Sequence, residues 1–350
     1  MTNERPTLRN IADALGVSVN TVSRALNEKS GVGEVTRTRI QLEADRIGYV
    51  PNAHARSLVL GARMLIGLII SNTSNPFYAS LISEIEKHAG EAGYSIILFS
   101  SDESSEQEDE AAQAMLRAGV DGAIVAPVQG KSNPWYRLVN AEVPIVTINR
   151  ELPDLDLDMV RTDNYTGMYR ATQHVLEQGA QRVFLLEEDL AISTVEDRTA
   201  GFRAALSDAG LEPSEDALAY VSSRRRGRAL LPWLADEAHL TTLDLLDRGH
   251  KPDAIITGND LHALGAMRAL HERSLRVPED TLVVGWGDYP FSAYLTPSLT
   301  SVRLPIQRVG RIAFEMMLRR IRGEQGEEPE HHTMRPEIVV RESSQVARFE

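Results

Sequence analysis

The run Ser18-Val19-Asn20-Thr21-Val22-Ser23-Arg24-Ala25-Leu26-Asn27 carries groups suited to reading nucleic acid. Asn20 can pair with adenine, Arg24 can fork onto guanine, and Val19 can meet a thymine methyl. Ser18, Thr21 and Asn27 suit phosphate oxygens, and Ser23 stands beside them near the base edges. Such groups discriminate only when a rigid element presents them together. Leu8, Ile11, Ala12 and Leu15 recur at helical spacing, so a helix precedes the run. Gly16 then ends it where the chain must turn, and Ser18 is a good N-cap for a second helix. Val22, with Ala25 or Leu26, supplies that helix with a buried stripe. Ala12 is small where the two helices cross. This is helix-turn-helix spacing, in which the second helix points its N-terminal residues into the major groove. By itself the pattern also fits an ordinary helical hairpin with a solvated polar face.

The continuation narrows the reading. Residues Val35 to Ile47 form a third helical pattern with Ile40, Leu42, Ala44 and Ile47 as its stripe, closed by Gly48. Tyr49-Val50-Pro51-Asn52 then opens a short helix holding Ala53, Ala55, Arg56, Ser57 and Leu58. The chain resembles the LacI/GalR family of bacterial transcription regulators. The matching residues are Thr7, Ile11-Ala12, Gly16-Val17-Ser18, Thr21-Val22-Ser23-Arg24, Asn27, Gly48-Tyr49, Pro51-Asn52 and Ala55-Arg56-Ser57-Leu58. The similarity runs on through nearly the whole chain. It implies DNA contacts from Thr7 and Tyr49 as well as from the second helix. It also implies a hinge helix that folds on the operator, with Leu58 wedged into the minor groove and Asn52 and Ala55 beside it. Unstacking one base step costs a few kcal/mol and is offset by added contact. Gly33 departs from the family's usual serine cap on the third helix and is a weaker cap.

Length and charge fit this picture. A chain of 350 residues suits two or three domains. Its formal net charge is −13, unusual for a DNA binder. The first 60 residues, however, hold eight arginines and lysines against six acids, so the acidity lies in the remainder. Phosphates would repel that body and confine contact to the head. Cysteine is absent, which excludes a disulfide framework and a thiolate zinc site. The polar start MTNERPTLRN lacks a signal-peptide core, and no apolar run is long enough to span a bilayer, so the expected location is cytoplasmic. Only QVARFE follows VVRESS, with no leucine heptad to suggest a tetramer.

After the head, apolar strand-like runs alternate with helical patterns. The expected strands are 64–70, 95–100, 122–126 and 145–149, then 182–187, 219–222, 254–258 and 282–285. Their continuous apolar character implies parallel sheets covered by helices on both faces. The predicted fold class is thus an α-helical helix-turn-helix head with an α/β body of two doubly wound subdomains, similar to the periplasmic binding proteins. The predicted domains are 1–50 for the head, 51–63 for the hinge helix and linker, and 64–350 for ligand binding and dimerisation. Crossings near 161–163, 290–293 and 321–325 assign about 64–161 and 293–321 to lobe 1, and about 162–292 and 322–350 to lobe 2.

Ligands of such folds bind at the carboxyl ends of the strands, here in the cleft between lobes. The candidates are Asn75 and Phe77 after the first strand and Arg150 after the fourth. The resemblance adds Thr194 and Arg198, and Asn259 with Asp260 either on the ligand or in lobe support. In Gly285-Trp286-Gly287-Asp288, Trp286 could stack on a ring. Gly287 stands where sugar-responsive relatives often have aspartate, which weakens a simple neutral-sugar reading. Asp288 could substitute, and a sugar acid becomes an open alternative. Glu187-Glu188-Asp189 argues against an anion unless it is a solvated loop. Arg224-Arg225-Arg226 reads as exposed loop. His331-His332 lies in a Glu-rich loop without partners at metal-ligand spacing.

No nucleophile motif such as GxSxG occurs, and no cofactor is called for. The expected function is a repressor of carbohydrate-utilisation genes. It would bind a palindromic operator as a homodimer and be released by a sugar or sugar acid. The helix from Tyr78 to Ala92 and the segment Leu261–Arg273 are interface candidates by resemblance. A regulator answering to a purine or a protein corepressor is the alternative, and a solute-binding protein the alternative of another class. Whether the ligand releases or promotes DNA binding is open in the sequence.

Overall fold

The computed structural model describes residues 6–27, 30–49, 62–129, 133–152, 154–213, 215–226, 229–231, 234–324, 326 and 328–345. The chain divides into two compact units, Met1–Arg63 and Met64–Glu350.

The first unit contains α1 (Leu8–Leu15), α2 (Val19–Leu26) and α3 (Glu34–Ile47). Ile11, Ala12, Val22, Ala25, Ile40 and Ala44 form its buried core. Thr7 caps α1 reciprocally with Asn10: its backbone N–H donates to Asn10 Oδ1 at 2.8 Å. Gly16 follows with φ +66°, the left-handed conformation that lets α2 leave at once. The Ser18 hydroxyl accepts the Thr21 N–H at 3.0 Å and starts α2. Gly33 starts α3 with no side-chain cap. Leu42, expected in the stripe, is 65% exposed, because the 3.6-residue period carries it to the face opposite Ile40 and Ala44.

The second unit holds two sheets. β1 (Leu65–Ile70), β2 (Ser95–Ser100), β3 (Gly122–Val125), β4 (Ile145–Ile148), β5 (Asp158–Thr162) and β13 (His331–Met334) form the first. Its order is β13-β5-β4-β3-β1-β2, all parallel. β6 (Val183–Glu188), β7 (Leu218–Val221), β10 (Ala254–Thr257), β11 (Leu282–Gly287), β12 (Thr300–Arg303) and β14 (Glu337–Val339) form the second. Its order is β14-β12-β11-β10-β6-β7, with β14 antiparallel. The flanking helices are α4 (Pro76–Glu91), α5 (Ser105–Ala118), α6 (Tyr136–Asn140), α7 (Asn164–Glu177), α8 (Ser193–Asp208), α9 (Ala235–Asp247), α10 (Asp260–Glu272) and α11 (Ile306–Arg322). Ile66, Leu68 and Ile70 of β1 pack with Leu81, Ile85 and Ala89 of α4, while Ile69 faces a second cluster with Met115 of α5. Burial on both faces explains why β1 reads as an unbroken apolar run.

Two lobe crossings lie elsewhere than the sequence suggests. The first follows β5, as expected near 161–163. The second comes after β12 rather than at 290–293, because Thr300–Arg303 pairs with β11 in the second sheet. The third comes after β13 rather than at 321–325, because His331–Met334 returns to pair with β5. The strands β5, β12, β13 and β14 carry too many polar residues to stand out by hydropathy. Asp158 in β5 is nearly buried because Arg320 of α11 grips it, Nε to Oδ2 at 2.6 Å and Nη2 to Oδ1 at 2.8 Å.

Two further readings change. Arg224–Arg226 is a strand, β8, paired antiparallel with β9 (Ala229–Leu231), and not an irregular loop. His331 and His332 lie on β13 and not in a loop, beside Asp156 at 3.2 Å and Glu330 at 3.3 Å. No helix among the described residues is long and apolar enough to cross a membrane.

Candidate functional site

The head presents one face of α2. Val19 is 41% exposed, and Asn20 is exposed beside it. Thr21 and Ser23 are half-buried. Ser18 and Thr21 hydroxyls bond each other at 2.8 Å on the surface, so the cap that starts the helix also holds the two phosphate-suited groups together. Arg24 folds back: its Nε donates to the Ser30 carbonyl at 3.1 Å, and its Nη2 binds the same oxygen. A base contact from Arg24 would require releasing that carbonyl. Asn27 donates to the Ser23 carbonyl at 2.8 Å at the far end of the helix. Arg37 of α3 donates to the Ala25 carbonyl at 2.8 Å and braces the same end. Tyr49 packs against the head core, its N–H on the Ala44 carbonyl at 2.8 Å. Asn52, Ala55 and Leu58 lie outside the described residues.

In the body, the ends of the two sheets face each other across a cleft. Asn75, Phe77, Arg150, Thr194, Arg198, Asn259 and Trp286 all line it. Asn75, Arg150, Thr194 and Asn259 sit where strands run out into loops or helix starts, Trp286 lies near the end of β11, and Arg198 lies in the second turn of α8. Asn75 caps α4 by accepting the Phe77 N–H at 3.0 Å, and Phe77 meets Tyr78 edge-on at 5.1 Å. Thr194 stands in the first turn of α8. Asn259 caps α10 by accepting the His262 N–H at 2.9 Å. Asp260, next to it, is support: it takes the Tyr289 N–H and the Ser292 hydroxyl at 2.7 Å, and the Ser301 hydroxyl at 2.6 Å.

Asp288 is not in the cleft. It is turned away at φ +49° and held by Arg303 at 2.7 Å and Arg341 at 2.6 Å. It therefore cannot substitute for a cleft aspartate at 287. Gly287 itself has φ +124°, and a Cβ there would come within 2.8 Å of the Tyr289 ring. Its glycine answers to the backbone and reports nothing about ligand charge.

The charges of the cleft are organised in pairs. Arg150 forks onto Glu103, Nη2–Oε1 2.7 Å and Nη1–Oε2 2.8 Å, and donates to the Pro127 carbonyl at 3.1 Å. Arg198 forks onto Glu187 at 2.7 Å through both Nε and Nη2. Its guanidinium carbon also lies 5.5 Å from the Trp286 ring centroid, occupying part of the ring expected to stack on a ligand. Burial opposes both guanidinium charges, yet the surrounding acidic groups hold both pKa values above the ordinary range.

Glu187 is fully buried and Glu188 half-buried at the end of β6, so of this run only the exposed Asp189 fits a solvated loop. Glu188 lines the cleft. Burial pushes its carboxyl up to about 7, against the pull of Arg198 and with Glu187 adding to the rise. Its contacts are looser: Asn259 Nδ2 at 3.2 Å and Arg198 Nη2 at 3.6 Å. Glu103, Asn149 and Tyr289 line the cleft without having stood out in the sequence. Each is paired over a long sequence interval or follows a strand that hydropathy ends too early.

Residues 63–340 match the model of the periplasmic binding proteins and sugar binding domain of the LacI family. Residues 7–52 match that of the bacterial regulatory proteins, lacI family. The chain belongs to the LacI family. It is a DNA-binding transcription regulator with a helix-turn-helix head and a two-lobed α/β body. A ribose operon repressor of Halalkalibacterium halodurans is 32% identical over 90% of both chains. The repressor PurR of Aliivibrio salmonicida is 28% identical over 96% of this LacI-family chain and 98% of its own. Among solved structures, the regulator CelR in complex with cellobiose is 29% identical with a TM-score of 0.71, covering 97% of this chain and all of that one. The lac repressor dimer on its operator shares the fold at a TM-score of 0.85 and 24% identity.

Proposed function

We propose that the protein represses carbohydrate-utilisation genes as a homodimer on a palindromic operator, and that a small polyhydroxylated ligand in the cleft releases it. The location is the cytoplasm, where the chromosome is. One head reads half a site, and two-fold pairing is the economical way to read a palindrome. The observation that carries the ligand reading is the pairing of both cleft arginines with carboxylates of their own lobes. With both forks held, the cleft offers acceptors and aromatic edges, which suit hydroxyl donors better than a carboxylate. A polyol without a carboxylate is therefore favoured over a sugar acid. The names of relatives add weight: a ribose operon repressor, a cellobiose complex and a LacI-family regulator with bound ribose.

A ligand shifts DNA affinity only through unequal binding to two cleft geometries. Fluorescence anisotropy with the DNA upstream of the flanking genes tests this, with and without a panel of sugars. Loss of DNA binding on adding a sugar supports the reading. Tighter DNA binding would make the ligand a corepressor. Leu58→Ala is expected to weaken operator binding and leave ligand affinity alone.

A further inference from the structure

We propose that the ligand of this cleft carries a protonated amino group beside its hydroxyls, and that Glu188 selects for it. The inference rests on the polyhydroxylated-ligand reading above and names its chemical class more closely. The two arginines of the cleft are matched by Glu103 and Glu187, each through a two-point fork. Glu188 is the third carboxylate, and nothing of opposite sign is assigned to it. Its 3.6 Å approach to Arg198 is to an Nη2 already committed to Glu187, and Asn259 offers one neutral donor. No lysine lines the described cleft.

The Glu188 side chain is 14% exposed, so water does little to stabilise the surplus charge. Burial raises its pKa to about 7, the response of a carboxylate that lacks a matched cation. An ammonium group supplies that cation and displaces the proton. A hydroxyl supplies a hydrogen bond without the charge, and an anion adds repulsion. The groups that bear on Glu188 from the surrounding elements are Glu187, Arg198, Asn259, Arg150, Tyr78 and Tyr289. The arginines are held by their own carboxylates. The buried tyrosines are pushed further from ionisation, by burial first and by nearby carboxylates, so neither supplies a charge near neutrality. The aromatic surfaces of Phe77, Tyr78 and Trp286 line the same space and complement a cation as well as a sugar face.

The test is isothermal titration of the full-length protein at about pH 6.5, below the raised carboxyl value, where binding should release a proton. The probes are matched triplets: a neutral aldose, its 2-amino-2-deoxy derivative and its uronic acid. The amine is expected to bind at least about tenfold more tightly than its parent, and the acid not at all. The heat of amine binding should depend on the buffer's ionisation enthalpy, recording proton release. Glu188→Gln should erase both the preference and the proton release. The wild-type triplet and buffer comparison stand even if that variant folds poorly. Equal affinity for amine and parent overturns the inference and leaves the sugar reading standing, whereas a preference for the acid overturns the inference together with the reading of the paired arginines. If no triplet member binds, the sugar reading itself fails and this inference with it.

Discussion

Arg198 closes on Glu187 through two parallel bonds of 2.7 Å, and the carboxylate it holds has no exposure to solvent. The pair joins the end of β6 to α8 beneath the ligand cleft. It fixes the guanidinium against Trp286 and sets how much positive charge a ligand can feel.

Removing one member should be far worse than removing both. Arg198→Ala leaves a buried, unpaired carboxylate and should cost the body roughly 3–5 kcal/mol. Arg198→Met with Glu187→Leu should recover most of that loss, since an apolar pair of similar volume needs no counter-charge. Urea unfolding of the two single variants and the double variant checks this. Independent, additive losses would mean that the pair is not a unit.

Gly287 should resist the aspartate that sugar-responsive relatives often carry. Gly287→Asp forces a side chain onto a backbone at φ +124° and against the Tyr289 ring. Strain of this kind costs on the order of 1–3 kcal/mol. A lowered melting temperature without improved affinity for neutral sugars is expected. An undiminished melting temperature together with tighter sugar binding would restore aspartate as a matter of ligand choice.

Stability should fall as pH rises through neutrality. Burial raises both Glu108 and Glu188 to about 7. Glu108 Oε1 accepts the Val128 N–H at 2.7 Å and the Trp135 Nε1–H at 3.2 Å, while Oε2 has no partner among the described residues. The folded state holds more protons than the unfolded chain from the ordinary carboxylate value up to about 7. The stabilisation is therefore full below that ordinary value and is lost as pH rises through about 7. Thermal melts of the body from acid to mildly alkaline pH should show this slope. Combining Glu108→Gln with Glu188→Gln should flatten it, and an unchanged slope would place the responsible groups elsewhere.

In the head, folding and reading should separate. Ser18→Ala removes the cap on Thr21 and should cost the head about 1 kcal/mol of stability. Asn20→Ala touches no described bond. It should leave stability unchanged and relax discrimination at one base pair by about 1–3 kcal/mol. Melting of the head and binding to operators substituted at single positions measure the two effects. A stability loss from Asn20→Ala would make it a structural residue.

Apolar continuity made β1, β3, β4 and β10 legible, because both faces of each are covered. β5 and β12 were invisible for the opposite reason. Asp158 and Thr300 belong to buried strands only through partners far along the chain, Arg320 for the first and Arg341 for the second. The cleft shows the same limit. Arg198 could be recognised from its local motif, whereas Glu103 acquires meaning only from Arg150, 47 residues later. Glu187 ends an expected strand, and its burial becomes plain only when Arg198 of α8 forks onto it.

The late crossings also bear on how the protein is made. β13 completes the edge of the first sheet beside β5, yet it is synthesised after every other strand of both sheets except β14. α11, which packs on that sheet, comes late as well. A ribosome that has finished the first four strands has not made a closed lobe; it has made one with a bare face and an unpaired edge. The head, whose core is drawn from Ile11 to Ala44, can fold as it emerges, while both halves of the body wait for the last tenth of the chain. A nascent or truncated product would then expose a folded DNA reader attached to an unfinished, aggregation-prone sensor, which gives the cell a reason to degrade it before it reaches an operator.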